Sequence, residues 1–288
     1  MSNPTHTGDR TFRKAREMVG VPRRLLRGTR LRLTHRFVKL PIHQVRNEYA
    51  FGFADAGWHY FREILAARGV DAETPAEESG FFAFFQHPRT RAVRYLNDLL
   101  FMHDPGLRER SADCLFYLGT YPWGEWSRSD LITGGVPYGH HYDRVENAST
   151  RDLDGYRRNP WYEPGDPHPL HIEWDQVHRV GKALSGGYRP WRYGGWPEVI
   201  LLERRDGEQR AVVAEGQHRM AALGHLGYRE VCVPVHESVP TIREVEVEDW
   251  FHVRSGRCSA QTALLIFNAF FEWDGRERAQ YLDLRTAY

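Results

Sequence analysis

No uninterrupted apolar run in this sequence is long enough to cross a bilayer, and its first residues lack the apolar core of a signal peptide. A cytoplasmic protein is therefore expected. Cysteine is scarce: Cys114, Cys232 and Cys258 are far apart and odd in number, with no CxxC pair. That excludes a disulfide framework and points to a reducing compartment. Also missing are a Walker A loop, a GxGxxG fingerprint and a GxSxG elbow, so the commonest phosphate loops and the serine-hydrolase elbow are excluded. There is no internal repeat and no low-complexity tract. Net charge is nearly absent, at +1.

The 288 residues are many for one compact domain and few for two large ones. Hydrophobic residues at 41% and charged residues at 27% fit a folded soluble chain. Aromatics reach 13%, with nine Trp, which suits either aromatic-lined clefts or simply a large core. Charge is uneven locally. Residues 1–40 carry eleven Lys/Arg against Asp9 and Glu17, a net of about +9, which leaves the remainder acidic at about −8. With Leu25, Leu26, Leu31 and Leu33 interleaved, residues 10–40 could lie on an anionic membrane surface, touch a phosphate-rich partner, or form a solvated leader. An acidic body gives DNA binding little support.

Periodicity divides the chain into a basic leader (1–35), a first strand (36–49), an insertion (50–172), an α/β core (173–240) and a C-terminal helical extension (241–288). Trp58, Phe61, Ile64 and Leu65 have helical spacing, and residues 81–101 read as a second helical region broken or started near Pro88. Residues 119–169 are rich in Gly, Pro, Trp and Tyr, an irregular stretch of functional length. Helix 173–187 buries Val177, Val180 and Leu184 and stops at Gly186–Gly187. "PEVILLERR", a DGE turn and "RAVVAEG" read as a hairpin, "GQHRMAALGHLG" as a helix burying Met220, Leu223 and Leu226, and "YREVCVPVH" as a buried strand.

The stretch "AEGQHRM" concentrates the chemistry. A helix N-terminus presents unpaired N–H groups and about half a positive charge, and Gly216 lets a ligand approach the backbone. Arg219 offers a fork of donors for phosphate oxygens, and His218 one more. This is a candidate phosphate cradle. The alternative is an ordinary first turn in which Arg219 pairs with Glu215 or another nearby acid.

The run "PEVILLERRDGEQRAVVAEGQHRMAALGHLGYREVCVPV" resembles the ParB/sulfiredoxin superfamily, through the hairpin, the Gly216-Gln217-His218-Arg219 turn, "MAALGHLG" and the strand 230–235. "FVKLPIHQVRNEY" (37–49) resembles the family's opening strand, and "VHRVGKALSGGYRPWRYGGWPEVIL" its next helix and strand. The resemblance covers 37–49 and 173–236. It implies an α/β (α+β) fold, a small mixed-sheet core carrying a large helical and aromatic, loop-rich insertion. It also implies a nucleotide (ATP or ADP, with CTP as an alternative) and Mg²⁺ at Glu215, Gly216, Gln217, His218 and Arg219. The reactive cysteine of sulfiredoxins would stand at Gln217, so sulfinic-acid repair is not expected. The fifty residues after the core are too short and aromatic for the DNA-binding domain of partition ParB proteins. The turn is most similar to that of the free-serine-kinase branch. By that resemblance Glu48, in "VRNEY", is the candidate general base, with Glu215 at the position of a family Asp.

The expectation is thus a small-molecule kinase that phosphorylates a metabolite or sugar-like hydroxyl. The alternatives are a non-catalytic NTP-dependent switch working through the basic leader and, weaker, a ParB-like nuclease. Other clusters carry less. His140, His141 and Asp143 are possible metal ligands, but vicinal histidines rarely share one metal. Glu173, Gln176 and His178 do not have zinc spacing. The SGGYRP segment with Arg189 could hold phosphate or simply end a helix, and Asp274-Gly275 reads as a turn.

Overall fold

A computed structural model describes residues 36–67, 76–116, 118, 120–124, 167–190, 195–237, 239 and 241–284. The basic leader and most of the Gly/Pro/aromatic stretch, with His140, His141 and Asp143, lie outside the described residues.

The chain is α/β (α+β), with a mixed sheet. Strands β3 (Glu198–Glu203) and β4 (Gln209–Glu215) form the expected hairpin, closed at Gly207 with φ 86°. Ala211, Val212 and Val213 are buried consecutively, and β3 buries four of its six residues. Such uninterrupted burial means that both faces are covered. The expected single strand over 36–49 is instead two, because Pro41 and a 3₁₀ turn at Ile42–Gln44 break it. Of the pieces, β1 (Phe37–Pro41) pairs antiparallel with β5 (Glu230–Pro234), and β2 (Val45–Arg46) runs parallel to β4. On the far edge of β3, β6 (Ile242–Arg243) adds a parallel pair and Val235 a bridge to Val199. Strand β5 buries three of its five residues. Glu230 and Cys232 are exposed while Val231, Val233 and Pro234 are buried, so the expected buried strand holds on one face and at its end but is open on the other face at its start.

Helix α1 (Tyr60–Ala67) buries Phe61, Ile64 and Leu65 as their spacing demands. The region 81–101 becomes three short helices, α2 (Gly80–Gln86), α3 (Pro88–Arg91) and α4 (Leu96–Leu100), with Pro88 starting α3. After α5 (Pro105–Arg110), α6 (Pro167–Leu184) begins earlier than the sequence suggests and is followed by the left-handed Gly187, φ 100°, whose amide donates to the Leu184 carbonyl. Helix α7 (Gln217–His225) packs on α1 and α6. It buries Met220 through Gly224, but Leu226 is exposed, a correction to its expected core position. At Gly224 the helix meets the backbone of Phe53 so closely that a Cβ has no room. The extension contributes α8 (Phe251–Arg254), α9 (Ala260–Glu272) and α10 (Arg276–Tyr281), with α9 capped by Ser259 and packed on β4 and α4.

Most of the described aromatics lie in the core. Phe51, Trp58, Tyr60, Phe81, Phe84 and Phe85 are fully buried and meet ring to ring, Tyr60 stacking on Phe84 at 5.7 Å. Each such side chain contributes about 1.5–3 kcal/mol of burial. The cysteines are not all apart. Cys114 and Cys258 are near enough to shift each other's thiol, the first down and the second up, the Cys258 thiol donating to the Ser259 carbonyl at 3.3 Å, whereas Cys232 is exposed. Among the described residues, no helix is long and apolar enough to cross a membrane.

Candidate functional site

The turn between β4 and α7 depends on Gly216. Its φ of 88° and ψ of 35° lie in the left-handed region, where a side chain is strained. A Cβ there would also come within 2.7 Å of Arg219 Nη2 and 3.0 Å of Pro197 Cα. The glycine therefore lets the Arg219 guanidinium fold back against the turn, where Nη1 donates to the Gly195 carbonyl at 3.0 Å. The N-terminus of α7 has no side-chain cap, and its first closed bond runs from Met220 N–H to the Gly216 carbonyl, 3.0 Å.

Opposite the turn stands a loop held far more firmly than an ordinary connection. Asn47, fully buried, accepts at Oδ1 from the amides of Tyr49 and Phe51, both at 2.9 Å, and its own amide donates to the Phe51 carbonyl. Ala50 is driven into the left-handed region, φ 57°, at a cost of about 1–2 kcal/mol for a residue with a Cβ. The opposing force comes from α10. Arg278, fully buried, donates to the carbonyls of Tyr49 and Ala50 at 2.5 and 2.8 Å and lies over the Phe51 ring, 3.8 Å from its centre. Burial pulls its pKa down to about 9. Asp274, expected to be no more than a turn, accepts at its carbonyl from the amides of Gly52 and Trp58. The extension thus clamps both ends of the loop.

What this loop presents is Glu48. Its carboxylate oxygen Oε2 accepts from the side-chain amide of Gln217, the first residue of α7. Two candidates 169 positions apart, the base and the turn, are in contact. The other oxygen, Oε1, is buried without a well-directed hydrogen bond. Desolvation raises the Glu48 pKa from 4.5 to about 8, and hydrogen bonding from Tyr49 and the backbone offsets only part of that rise. Tyr121 donates its hydroxyl to the Glu48 carbonyl at 3.0 Å and stacks on Trp123. The Tyr60 hydroxyl accepts from Asn47 Nδ2, 3.1 Å, and feels both Glu48 and Glu173. Burial first, and those two carboxylates after it, push its pKa well up.

His218 reaches a different carboxylate. Its Nε2 is 2.7 Å from Oε2 of Glu173 on α6, and its ring abuts Phe61 edge-on at 4.6 Å. Glu215 ends β4 exposed, in register with Glu198. Glu48 thus meets the turn at Gln217, His218 leans on Glu173 and Phe61, and Arg219 folds back on Gly195. Sequence reasoning missed Glu173, Tyr60, Tyr121 and Arg278 as parts of this site. Asn47 was detectable, since Asn before a short loop commonly bridges to the backbone two residues on. Nothing in the sequence signals Arg278, whose partners are backbone carbonyls more than 200 residues away. Gly186 and Gly187 terminate α6, and Arg189 is exposed.

Among the described residues, no group of three His, Cys, Asp or Glu side chains is arranged to hold a metal ion. Mg²⁺ bound with a nucleotide takes only one or two carboxylates, the remaining positions being phosphate and water. Glu215, which ends β4 beside Gly216, would be the carboxylate nearest the cradle for that role. No family model, curated protein or solved structure matches this chain.

Proposed function

We propose that the protein is a ParB-like, nucleotide-dependent phosphotransferase that acts on the hydroxyl of a small acceptor. The observation that carries this reading is the contact between Glu48 and Gln217, which joins a desolvated carboxyl to an uncapped, glycine-led helix N-terminus. The helix amides, with the guanidinium folded against Gly216, suit the phosphates of ATP or ADP. A carboxylate beside them suits the acceptor. As its oxygen attacks the terminal phosphorus, the hydroxyl proton passes to Glu48, the new O–P bond forms and the bond to the bridging oxygen breaks. The shortened nucleotide carries away that electron pair. Bound Mg²⁺ would supply charge neutralisation on the transferring phosphate.

Phosphoryl transfer of this loose kind depends mostly on positioning, which the doubly clamped loop under Glu48 provides. A base with a pKa near 8 is only partly ionised at neutrality, so kcat/KM is expected to climb as pH rises through about 8. The test combines calorimetric titration of ATP, ADP, CTP and GTP with Mg²⁺ and an acceptor screen read as nucleotide consumption. Glu48→Gln should bind nucleotide normally and lose turnover by about 10²–10⁴-fold, while Arg219→Ala should lose binding. Failure of every nucleotide to bind would end the proposal.

A further inference from the structure

On the other side of the turn, strands β1 and β5 and the chain before β3 enclose a cleft of about 450 Å³, lined by Phe37, Tyr188, Trp196, Tyr228 and Cys232. Its walls are two nearly perpendicular ring pairs. Phe37 and Trp196 are 5.4 Å apart at 80°, and Tyr188 and Tyr228 are 6.4 Å apart at 82°. Such corners accept a flat ring that stacks on one aromatic face and meets the other edge-on.

The cleft is also polar in the right measure. The Tyr188 hydroxyl is buried and, among the described residues, makes no hydrogen bond, although its backbone amide donates to the Tyr228 hydroxyl at 3.2 Å. A buried hydroxyl left unmatched is costly, and a ligand with ring nitrogens or exocyclic groups removes that cost. At the rim, Glu230 is held by Lys39 at 2.6 Å. The cleft adjoins the candidate phosphate cradle through three consecutive residues. Trp196 lines it, while Gly195 accepts from Arg219 and Pro197 lies against Gly216. Arg219 is close enough to Tyr188 to affect its ionisation.

We infer that this aromatic cleft is the nucleobase pocket of the proposed nucleotide site, with Trp196 and Tyr188 as its principal contacts and Arg219 joining it to the phosphate cradle. The inference rests on the phosphotransferase reading for the identity of the ligand, but the cleft is a separate set of residues. The ligand would run from the cleft, past Arg219, to the Glu48 side of the turn. Base specificity would then reside on β1, β5 and the segment before β3, and acceptor specificity around Glu48.

The experiment measures, on the full chain with Mg²⁺, the affinities of ATP, CTP and GTP, of their nucleosides, and of inorganic tripolyphosphate. Trp196→Ala should weaken the best nucleotide about 5- to 150-fold, the usual range for loss of a base-stacking ring, and leave tripolyphosphate unchanged. Arg219→Ala should weaken both. Because Trp196 is nearly buried, a second measurement uses the unaltered protein. Cys232 is exposed in the cleft wall, and the best nucleotide, but not tripolyphosphate, should slow its alkylation by N-ethylmaleimide at least severalfold. Nucleotide binding that is insensitive to Trp196→Ala and leaves Cys232 unprotected overturns the cleft assignment while the phosphate reading survives. Nucleosides that bind in a Trp196-dependent way with no gain from phosphates would instead sink the phosphate reading and keep the cleft as a flat-ring site.

Discussion

Replacing Glu48 by Gln should stabilise the folded protein, by an amount that depends on pH. In the unfolded chain this carboxyl ionises near 4.5, but in the fold desolvation holds its pKa at about 8. An acid whose pKa is raised by folding makes the unfolded state the better proton donor. Its destabilising effect is absent below about pH 4.5, grows as pH rises, and levels off above about 8. Each pH unit between the two values corresponds to about 1.4 kcal/mol, so the penalty at pH 7 is about 3 kcal/mol. Glutamine has nearly the same shape, carries no charge and keeps an oxygen to accept from Gln217. Urea unfolding of both proteins at pH 5, 6, 7 and 8 measures the effect. The variant should exceed the parent by no more than about 1 kcal/mol at pH 5 and by about 3 kcal/mol at pH 7, a rise of roughly 5 °C in Tm. A difference that is flat with pH, or that favours the parent at pH 8, would refute the desolvated carboxyl and with it the argument for a tuned base. Stability gained together with activity lost is the behaviour expected of a functional residue held under strain.

Arg278→Met should cost about 3–5 kcal/mol in chemical unfolding, because two buried carbonyls lose charged donors and Ala50 loses its restraint; a loss below 1 kcal/mol would mean that the loop under Glu48 holds itself. Gly216→Ala should destabilise by about 2 kcal/mol and displace Arg219, abolishing tripolyphosphate binding, since both the left-handed backbone and the guanidinium exclude a Cβ. Native protein treated with a maleimide should be labelled first at Cys232, with buried Cys258 reacting only on unfolding, as read by peptide mass spectrometry; early labelling of Cys258 would contradict its burial.

Local physics was strong enough in the sequence to mark the hairpin 198–215, the glycine stop of α6 and the glycine turn that enters α7, because turn chemistry and periodicity act over a few residues. The turn 216–219 was legible for the same reason, its glycine and cationic side chains being neighbours in the chain. Glu48 could be named only through resemblance. Its contact with Gln217, its desolvation and its clamp by Asn47 and Arg278 all come from packing between segments more than 160 residues apart or from loops buried by that packing. Residues 36–49 read as one continuous strand because their apolar pattern carries no record that β1 and β2 join different partners. Aromatic content foretold rings but not their division between core and cleft. That division follows from which rings meet across α1 and α2 and which are left at the half-covered edge of β1 and β5, a matter that only tertiary contacts decide.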